Sequence, residues 1–480
     1  MILLVNPYIT SAERYGREIG DIGGHQMPLG IFYLAANLRR HDFPVEVIDA
    51  EARHIVHEEV IEMARKLSPR IIGLTSTTVG FRNARRLAEL IRAELPGTIV
   101  VIGGPHMTAM PLPTMNTGAF DYGIISEGET PLLQLARFLL LDQGALADIP
   151  SLYYRSSGET VHNPKGEYIG EIDTIPIPAR DLCPEISVYK PPVGAFRDTP
   201  VVSMITSRGC PYLCIFCDNN TFGRKARLHS AAYVVAEIKE IVRTYQAREI
   251  AFLDDTFVLD KHRVHEIFDL LDKENIRFQW TCMTRVNNID FDILRFMASK
   301  GCWQIRFGIE SGNEDVLKFI KKGITLEQVR NVTEWCRQLG INTTGFFMVG
   351  HHIDTESTIG QTIDFALSLP LTDIVATINT PIPGTHSYAL AREYGSYSEE
   401  DWTSLNYWTP VFVPRGLTRE LLLQKQAEFY RRFYGRPQVI LRQLRKVRSA
   451  KALWMMLKNA LLGLRFTRKR TAPPAQSEGI

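Results

Sequence analysis

Short apolar runs alternate with longer amphipathic stretches along the N-terminal third of the chain. The longer stretches place apolar residues at i, i+3, i+4 and i+7, which predicts helices, whereas the short, β-branched runs predict buried strands. This alternation predicts a parallel sheet covered on both faces, that is, a Rossmann-like domain over residues 1–142. Strands are expected at 2–6, 45–49, 71–75, 99–103 and 122–126, and helices at 29–40, 56–67, 82–95 and 132–141.

The pattern is interrupted after this domain and then resumes. Residues 143–197 show little period and contain seven prolines, which predicts a connecting segment. Over residues 198–415, six strand patterns are each followed by a helical pattern, and right-handed crossovers would curl them into a partial (β/α)6 barrel. Its strands are expected at 201–205, 250–253, 278–283, 304–309, 343–349 and 374–379. The overall prediction is an α/β protein with chemistry at the carboxyl ends of its strands.

The C-terminal part is predicted to be helical and basic over residues 416–470, followed by a disordered tail at 471–480. From Arg442 to Arg470 there are ten Lys or Arg and no Asp or Glu, around an apolar stretch that contains Trp454. Such a helix suits peripheral contact with the inner face of a membrane, and it equally suits packing on the barrel.

The totals limit the classes of partner and compartment. Lys and Arg total 55 against 53 for Asp and Glu, a net charge of +2, so no bulk charge argues for nucleic acid. The N-terminus does not resemble a secretory signal, and no apolar run is long enough to span a membrane. With only seven cysteines in 480 residues, we expect a reduced, cytoplasmic protein.

Three cysteines are concentrated directly after the first barrel strand. Cys210, Cys214 and Cys217 have the spacing Cys-x3-Cys-x2-Cys, and Gly209 and Pro211 break the strand before them. Three soft ligands with an open position favour an iron-sulfur cluster over a four-ligand zinc site or buried structural cysteines. The other four are expected in the core: Cys183, Cys282, Cys302 and Cys336.

This spacing, with Phe216 before the last cysteine, resembles the signature of the radical S-adenosylmethionine superfamily. The resemblance implies a four-iron, four-sulfur (4Fe-4S) cluster whose open iron binds S-adenosylmethionine. An electron from a donor such as flavodoxin or ferredoxin then releases a 5'-deoxyadenosyl radical, so the three cysteines are predicted to be metal ligands and catalytic. The cofactor carries the difficult chemistry and the protein positions it.

Other strand ends of the barrel carry candidate contacts to S-adenosylmethionine. By the same resemblance, Glu310 would bind the ribose. For Asp254 and Asp255, helix capping is the alternative to a contact with S-adenosylmethionine. Where relatives show Gly-x-Pro-Gly-x-Thr, this chain has His351 and His352, which contact substrate or are ordinary loop residues. The predicted contacts are Phe216, Asp254, Asp255, Glu310, Ser311, Gly350 and Pro383.

The first domain would bind a ligand beyond the carboxyl ends of its strands. The domain order resembles the cobalamin-binding radical S-adenosylmethionine enzymes, a family that includes anaerobic magnesium-protoporphyrin IX monomethyl ester cyclases and radical methyltransferases. Cobalamin is therefore expected. The loop after the first strand lacks Asp-x-His-x-x-Gly, the motif whose histidine ligates cobalt in many cobalamin proteins. Either cobalamin binds here without a histidine ligand, or the site is vestigial. The predicted contacts are Asn6, Thr75, Ser76, Gly103, Gly104, His106 and Glu127.

The resemblance implies methylation of an unactivated carbon of a small molecule. One alternative is oxidative cyclisation or rearrangement of a hydrophobic, tetrapyrrole-like substrate. A non-catalytic iron-sulfur redox sensor needs only the three cysteines, so the motifs at the other strand ends would be superfluous to it.

Overall fold

The computed structural model describes residues 1–16, 24–183, 185–189, 191–192, 194–398 and 402–445. In these ranges the first sheet has seven strands: β1 (Ile2–Asn6), β2 (Val45–Asp49), β3 (Ile71–Thr75), β4 (Ile99–Gly103), β5 (Tyr122–Ile124), β6 (Leu152–Ser156) and β7 (Glu159–His162). Their order is β2-β1-β3-β4-β5-β6-β7, and β1 to β5 are parallel. The predicted Rossmann-like sheet is confirmed, and its strand order reverses at β1.

Helices cover both faces of this sheet: α1 (Ser11–Tyr15), α2 (Leu29–Arg40), α3 (His57–Leu67), α4 (Phe81–Glu94), α5 (Pro105–Ala109), α6 (Pro111–Asn116) and α7 (Glu129–Leu141). The apolar stripes of α2 and α7 pack with Leu4 and Val101 on one face. Those of α3 and α4 pack with Val5 and Ile102 on the other. Alternate residues of each strand therefore enter two separate cores, which explains why the strands are apolar throughout.

Part of the predicted connection, 143–197, belongs to the first sheet. Strands β6 and β7 form an antiparallel hairpin, and β6 pairs with β5. The turn uses Ser157 and Gly158, both with positive φ, as a tight hairpin turn requires. The prolines Pro150 and Pro164 flank the hairpin and do not interrupt it. The strands are short and largely exposed, so they lack the apolar alternation that predicts a strand.

The second half of the chain contains the strands β8 (Val201–Met204), β9 (Ser207–Arg208), β10 (Arg227–Leu228), β11 (Glu249–Phe252), β12 (Gln279–Thr284), β13 (Cys302–Glu310), β14 (Asn342–Val349), β15 (Asp373–Ile378), β16 (Gly395–Tyr397) and β17 (Phe412–Pro414). Six of them form a parallel sheet in the order β15-β14-β13-β12-β11-β8. The predicted six-stranded partial barrel is confirmed. The pairs β9–β10 and β16–β17 are small antiparallel additions.

The helices of this half are α8 (Ala231–Thr244), α9 (Lys261–Lys273), α10 (Phe291–Ser299), α11 (Glu314–Phe319), α12 (Leu326–Gln338), α13 (Glu356–Ser368), α14 (His386–Tyr394), α15 (Arg419–Tyr434) and α16 (Pro437–Arg445). Most begin at a residue whose side chain accepts a backbone N–H, as at Asp260, which accepts from Arg263 N at 3.1 Å. Asp260 therefore caps α9, so the prediction that Asp254 or Asp255 caps this helix is wrong.

Helix α15 covers the barrel edge at β15. The Gln426 amide donates to the Ala376 carbonyl at 2.7 Å, and the Ala376 N–H donates to the Tyr430 hydroxyl at 2.9 Å. The start of the predicted basic helical segment thus packs on the barrel. Residues 446–470 and the predicted disordered tail lie outside the described residues. No helix among those described is long and apolar enough to cross a membrane.

The carboxyl ends of the two parallel sheets face each other. A Cβ on Gly384, in the loop after β15, would lie 3.0 Å from Cβ of Ala109, in the helix after β4. The Ser126 hydroxyl, beyond β5, donates to the Thr221 carbonyl in the loop before β10 at 2.9 Å. Ligands bound at the two sheets would therefore occupy neighbouring spaces between them.

Candidate active site

The cysteine loop begins where β9 ends. Gly209 has φ +80°, and a Cβ there would lie 2.5 Å from the Lys225 carbonyl oxygen, so only glycine fits this turn. The Cys210 N–H then donates to the Gly223 carbonyl at 3.3 Å, and Ile215 N donates to the Ile320 carbonyl at 3.1 Å. These bonds fix both ends of the loop to neighbouring segments of the barrel.

The three thiols differ in environment. Cys214 is buried, Cys210 is half-buried and Cys217 is exposed at a cleft of about 380 Å³ that Cys214 also lines. A hydrogen bond from Cys217, with the nearby Lys322 and Arg285 cations, lowers the pKa of Cys214 to about 6. A thiol that ionises easily beside two cations suits metal-thiolate chemistry. The described residues thus fit a cluster held by three cysteines.

The remaining cysteines lie where the sequence predicts. Cys282, Cys302 and Cys336 are buried in the barrel core, and Cys183 is half-buried against the core under α2. In the described ranges, no three side chains of His, Cys, Asp or Glu converge tightly enough to hold a single metal ion.

Glu310 lies at the end of β13 beside the cysteine loop. It is 7% exposed, and Lys322 Nζ donates to its Oε1 at 2.8 Å. A Cβ on Gly308 would lie 2.5 Å from this oxygen and 2.6 Å from Lys322 Nζ, so the glycine makes room for the ion pair. The Lys322 ammonium also lies 5.7 Å from the centre of the Phe216 ring. The structure thus brings Phe216 and Glu310 together next to the cysteines.

Two of the predicted polar contacts in the barrel are engaged by the protein itself. Asp254 is buried and accepts from Thr206 N at 3.0 Å, from the Thr206 hydroxyl at 2.9 Å and from the Ser207 hydroxyl. Ser311 bonds with the Thr362 hydroxyl at 3.1 Å and accepts from Asn313 N. Their side chains fix the loops that carry the site.

The other predicted contacts remain at the barrel mouth. Asp255 lies next to the cysteine loop, where partial desolvation and the neighbouring Asp254 carboxylate raise its pKa. Gly350 has φ +81° and donates its N–H to Asp354 at 2.9 Å. Pro383 is buried in the loop that leads to Gly384 and the first domain.

The two histidines after β14 differ from each other. His352 Nε2 bonds with the Ser387 carbonyl at 2.9 Å, and its ring packs among Phe319 and Phe412, which is a structural position. His351 is 1% exposed, and its Nε2 has no hydrogen-bond partner in the described part of the chain. Its ring centre lies 6.3 Å from that of Phe216, so His351 faces the site.

Four of the predicted contacts in the first domain lie together at the ends of β3 and β4. Ser76 N donates to the Gly103 carbonyl at 3.2 Å. A Cβ on Gly104 would lie 2.6 Å from the Thr75 hydroxyl, so Gly104 is required by this contact within the protein. Thr75, Ser76, Gly103 and Gly104 thus lie in contact with one another at the carboxyl ends of β3 and β4.

Asn6 lies apart from that surface, on the side of β2. Its amide donates to Asp49 at 2.8 Å and to Glu51 at 3.4 Å. His25 Nδ1 lies 3.7 Å from the Glu51 carboxylate and its ring packs against His54. These contacts form a polar cluster of the protein's own side chains.

His106 follows β4 but points into the interior. It is 0% exposed, stacks on Phe81 with ring centres 4.1 Å apart and packs against Trp402. Its Nδ1 lies 3.3 Å from the Thr78 hydroxyl, and its Nε2 has no hydrogen-bond partner among the residues that the structure describes. Burial lowers its pKa to about 3. This packing gives His106 a buried position between Phe81 and Trp402.

The buried His106 should make stability depend on pH. Because its pKa is about 3 in the folded protein and about 6.5 in the unfolded chain, its contribution is complete above pH 6.5 and is lost as the pH falls towards 3. At about 1.4 kcal/mol per pH unit, protonation of His106 in the unfolded chain should lower the free energy of unfolding by about 2 kcal/mol between pH 6.5 and pH 5. Urea unfolding at several pH values should therefore show a weaker pH dependence for His106→Phe, whereas identical slopes would contradict this assignment.

Glu127 connects the two domains. Its carboxylate is 5% exposed and accepts from Arg208 Nη1 at 2.9 Å, from Arg227 Nη1 at 2.8 Å and from Ile169 N at 2.8 Å. Arg208 also donates to Glu129 at 2.5 Å. A side chain expected to bind cofactor is thus occupied by two arginines of the barrel.

The sequence did not single out Lys322, Arg285, Arg208 or Arg227. Arg208 directly precedes Gly209 and the cysteine motif, and Arg285 directly follows β12, so their positions at strand ends were the available signals. Their carboxylate and thiol partners lie far away in sequence and no local pattern identifies them.

Known proteins resemble the chain in both halves. Residues 204–366 match the Radical SAM superfamily, and residues 19–136 match the B12 binding domain. An uncharacterized methyltransferase of Pyrococcus horikoshii is 33% identical over 446 residues, which cover 92% of this chain and 94% of that protein. The anaerobic magnesium-protoporphyrin IX monomethyl ester cyclase of Rubrivivax gelatinosus is 27% identical over 424 residues, or 86% of this chain and 75% of that protein.

A solved structure shares the fold. The cobalamin-dependent S-adenosylmethionine radical enzyme OxsB, with aqua-cobalamin and S-adenosylmethionine bound, aligns with a TM-score of 0.77 at 18% identity. The alignment covers 98% of this chain and 71% of that chain. The order of the two domains is therefore shared along almost the whole sequence.

Proposed function

Because the chain belongs to the cobalamin-binding radical S-adenosylmethionine enzymes, we propose that it transfers a methyl group to an unactivated carbon of a small molecule. The predicted enzyme class and its three cofactors, the 4Fe-4S cluster, S-adenosylmethionine and cobalamin, are confirmed by the family matches. Membership of an enzyme family sets aside the alternative of a redox sensor without turnover.

One observation carries the proposal: the carboxyl ends of the two sheets meet. The cysteine loop and the Glu310–Lys322 pair lie at the barrel mouth, and the loops after β4 and β5 touch that mouth at Gly384 and Thr221. A carbon held between them is accessible from both sides, which is what sequential hydrogen abstraction and methyl transfer require.

Within the barrel, Cys210, Cys214 and Cys217 would hold the cluster. When bound, the cluster supplies the electron that cleaves S-adenosylmethionine, and cobalamin carries the methyl group. Glu310 would accept from the ribose hydroxyls, because Lys322 occupies Oε1 and leaves Oε2 without a partner among the described residues. Lys322 holds this carboxylate in place, and its ammonium lies 5.7 Å from the centre of the Phe216 ring on the cysteine side.

In the first domain, we propose Thr75, Ser76, Gly103 and Gly104 as the surface for cobalamin. His106 is buried and His25 lies against Glu51, which supports cobalamin binding without either of these two as a cobalt ligand. Asn6, His106 and Glu127 do not enter the proposed site, since their contacts are made within the protein.

The proposed partners are an electron donor and a hydrophobic substrate. A low-potential donor such as flavodoxin or ferredoxin would reach the cluster at the exposed Cys217, where the cleft is lined by Arg224, Lys321 and His386 and so suits an acidic protein. A hydrophobic substrate is proposed because the similar cyclase is named for a tetrapyrrole.

The test is anaerobic turnover of the full chain reconstituted with iron, sulfide and cobalamin. Reduction in the presence of S-adenosylmethionine should release 5'-deoxyadenosine, and methyl transfer should also produce S-adenosylhomocysteine. Absence of 5'-deoxyadenosine from a fully loaded protein would overturn the radical assignment.

Cyclisation is the second candidate, favoured by the 27% identity to the cyclase over 86% of this chain. It predicts 5'-deoxyadenosine without S-adenosylhomocysteine. The ratio of the two products, measured with a tetrapyrrole supplied, therefore separates the two functions.

A further inference from the structure

Arg285 is held rigidly next to the cysteine loop. It follows β12 directly and is 6% exposed. Its Nη1 lies 3.5 Å from Cys214 Sγ, its Nη2 donates to the Lys322 carbonyl, and its guanidinium plane lies 3.7 Å from the centre of the Tyr212 ring. The Nε atom donates to Asn287 Oδ1 at 3.3 Å. Contacts on every side thus direct one N–H at a cluster thiol.

The charge of Arg285 has no carboxylate partner within 4 Å among the described residues. Lys322, the other nearby cation, is already paired with Glu310. Among the other buried arginines, Arg180 and Arg208 are paired with glutamates, whereas Arg263 donates to carbonyl and hydroxyl oxygens of Thr206 and His229. A buried cation is costly unless a negative group compensates it. The group that Arg285 faces is the thiol of Cys214, which becomes a thiolate when it binds metal.

We propose that Arg285 sets the reduction potential of the cluster by donating its Nη1 hydrogen bond to Cys214. This inference rests on the proposed function, since it requires the cluster. Reduction adds one negative charge to the cluster, so a fixed cation and an N–H donor at one of its sulfurs stabilise the reduced form more than the oxidised form. Arg285 acts through Cys214 and is a positioning residue.

The arrangement requires arginine and not merely a positive charge. The planar guanidinium reaches Cys214, the Lys322 carbonyl and Asn287 at once while its central carbon lies 3.7 Å from the centre of the Tyr212 ring. A lysine keeps the charge but has neither the fork nor the flat face. Arg285→Lys should therefore keep part of the effect, and Arg285→Gln should lose it.

The experiment is a redox titration of reconstituted full-length protein without S-adenosylmethionine, followed by the electron paramagnetic resonance signal of the reduced cluster. For Arg285→Gln we expect the equilibrium constant for reduction to fall about tenfold, a shift of about 59 mV to more negative potential. Arg285→Lys should lie between this variant and the unmodified protein. Arg295→Gln, an exposed arginine on α10, is the matched control and should not shift.

An unchanged potential in Arg285→Gln with full iron and sulfide would overturn the proposal. Weaker binding of S-adenosylmethionine at unchanged potential would do the same and would give Arg285 a role as a carboxylate ligand. If Arg285→Gln does not retain iron, Tyr212→Leu, which frees the guanidinium, must shift the potential in the same direction, and no shift overturns the inference. The titration needs no turnover, so failure of the proposed methyl transfer would be recognised separately.

Discussion

Replacing Cys217 by alanine should abolish cluster binding and turnover while leaving the fold intact. Cys217 is exposed at the cleft, so its side chain contributes little to the packing of the barrel. Three thiolates hold three of the four irons and leave the fourth open for S-adenosylmethionine. Without Cys217 two thiolates remain, which are too few to hold the cluster in this way. We expect loss of the brown absorbance, iron content near background and no 5'-deoxyadenosine.

The matched control is Cys302→Ala. Cys302 is 4% exposed and is the first residue of β13, at the opposite end of that strand from Glu310. It should retain the cluster spectrum and product formation, although the lost sulfur lowers stability somewhat. Unfolding curves should show that Cys217→Ala is as stable as the unmodified apoprotein. A Cys217 variant that still binds iron fully and cleaves S-adenosylmethionine would remove Cys217 from the ligand set.

The parts of the fold that the sequence predicted are those governed by local patterns. Strands such as β3 and β14 are buried apolar runs, and the cysteine loop begins at Gly209, a few residues after the apolar strand β8. The hairpin β6–β7 was missed because its strands are short and partly exposed, so the alternation that marks a strand is weak. Periodicity reports burial, and it fails where burial is incomplete.

The site was predictable only as far as position at a strand end determines a role. Glu310 and Glu127 both follow strands that end at the site, yet one pairs with Lys322 twelve residues away and the other with Arg208 and Arg227, 81 and 100 residues away. Nothing local distinguishes a carboxylate that faces a ligand from one that holds two domains together. That distinction depends on which cations the fold brings close.

Glu127→Ala should destabilise the protein strongly through the domain interface. The substitution removes the carboxylate that faces the buried guanidiniums of Arg208 and Arg227, and it leaves the N–H of Ile169 without its acceptor. Arg208 retains Glu129, whereas the hydrogen-bond acceptors that Arg227 retains among the described residues are the carbonyls of Ile169 and Phe222. Breaking a buried ion pair by removing one partner costs about 3–5 kcal/mol, because the remaining charge stays buried.

Chemical denaturation should show this loss for Glu127→Ala and a smaller loss for Glu127→Gln, which keeps an oxygen for one donor. The control is Glu94→Ala, which removes an exposed ion pair with Arg65 and should have little effect.

Because Glu127 connects the loop after β5 to β9 and β10, its loss should also separate the facing strand ends. Glu127→Ala should then retain the cluster and release 5'-deoxyadenosine, but form S-adenosylhomocysteine and methylated product more slowly. Equal loss of all products would show instead that the ion pairs support only the barrel.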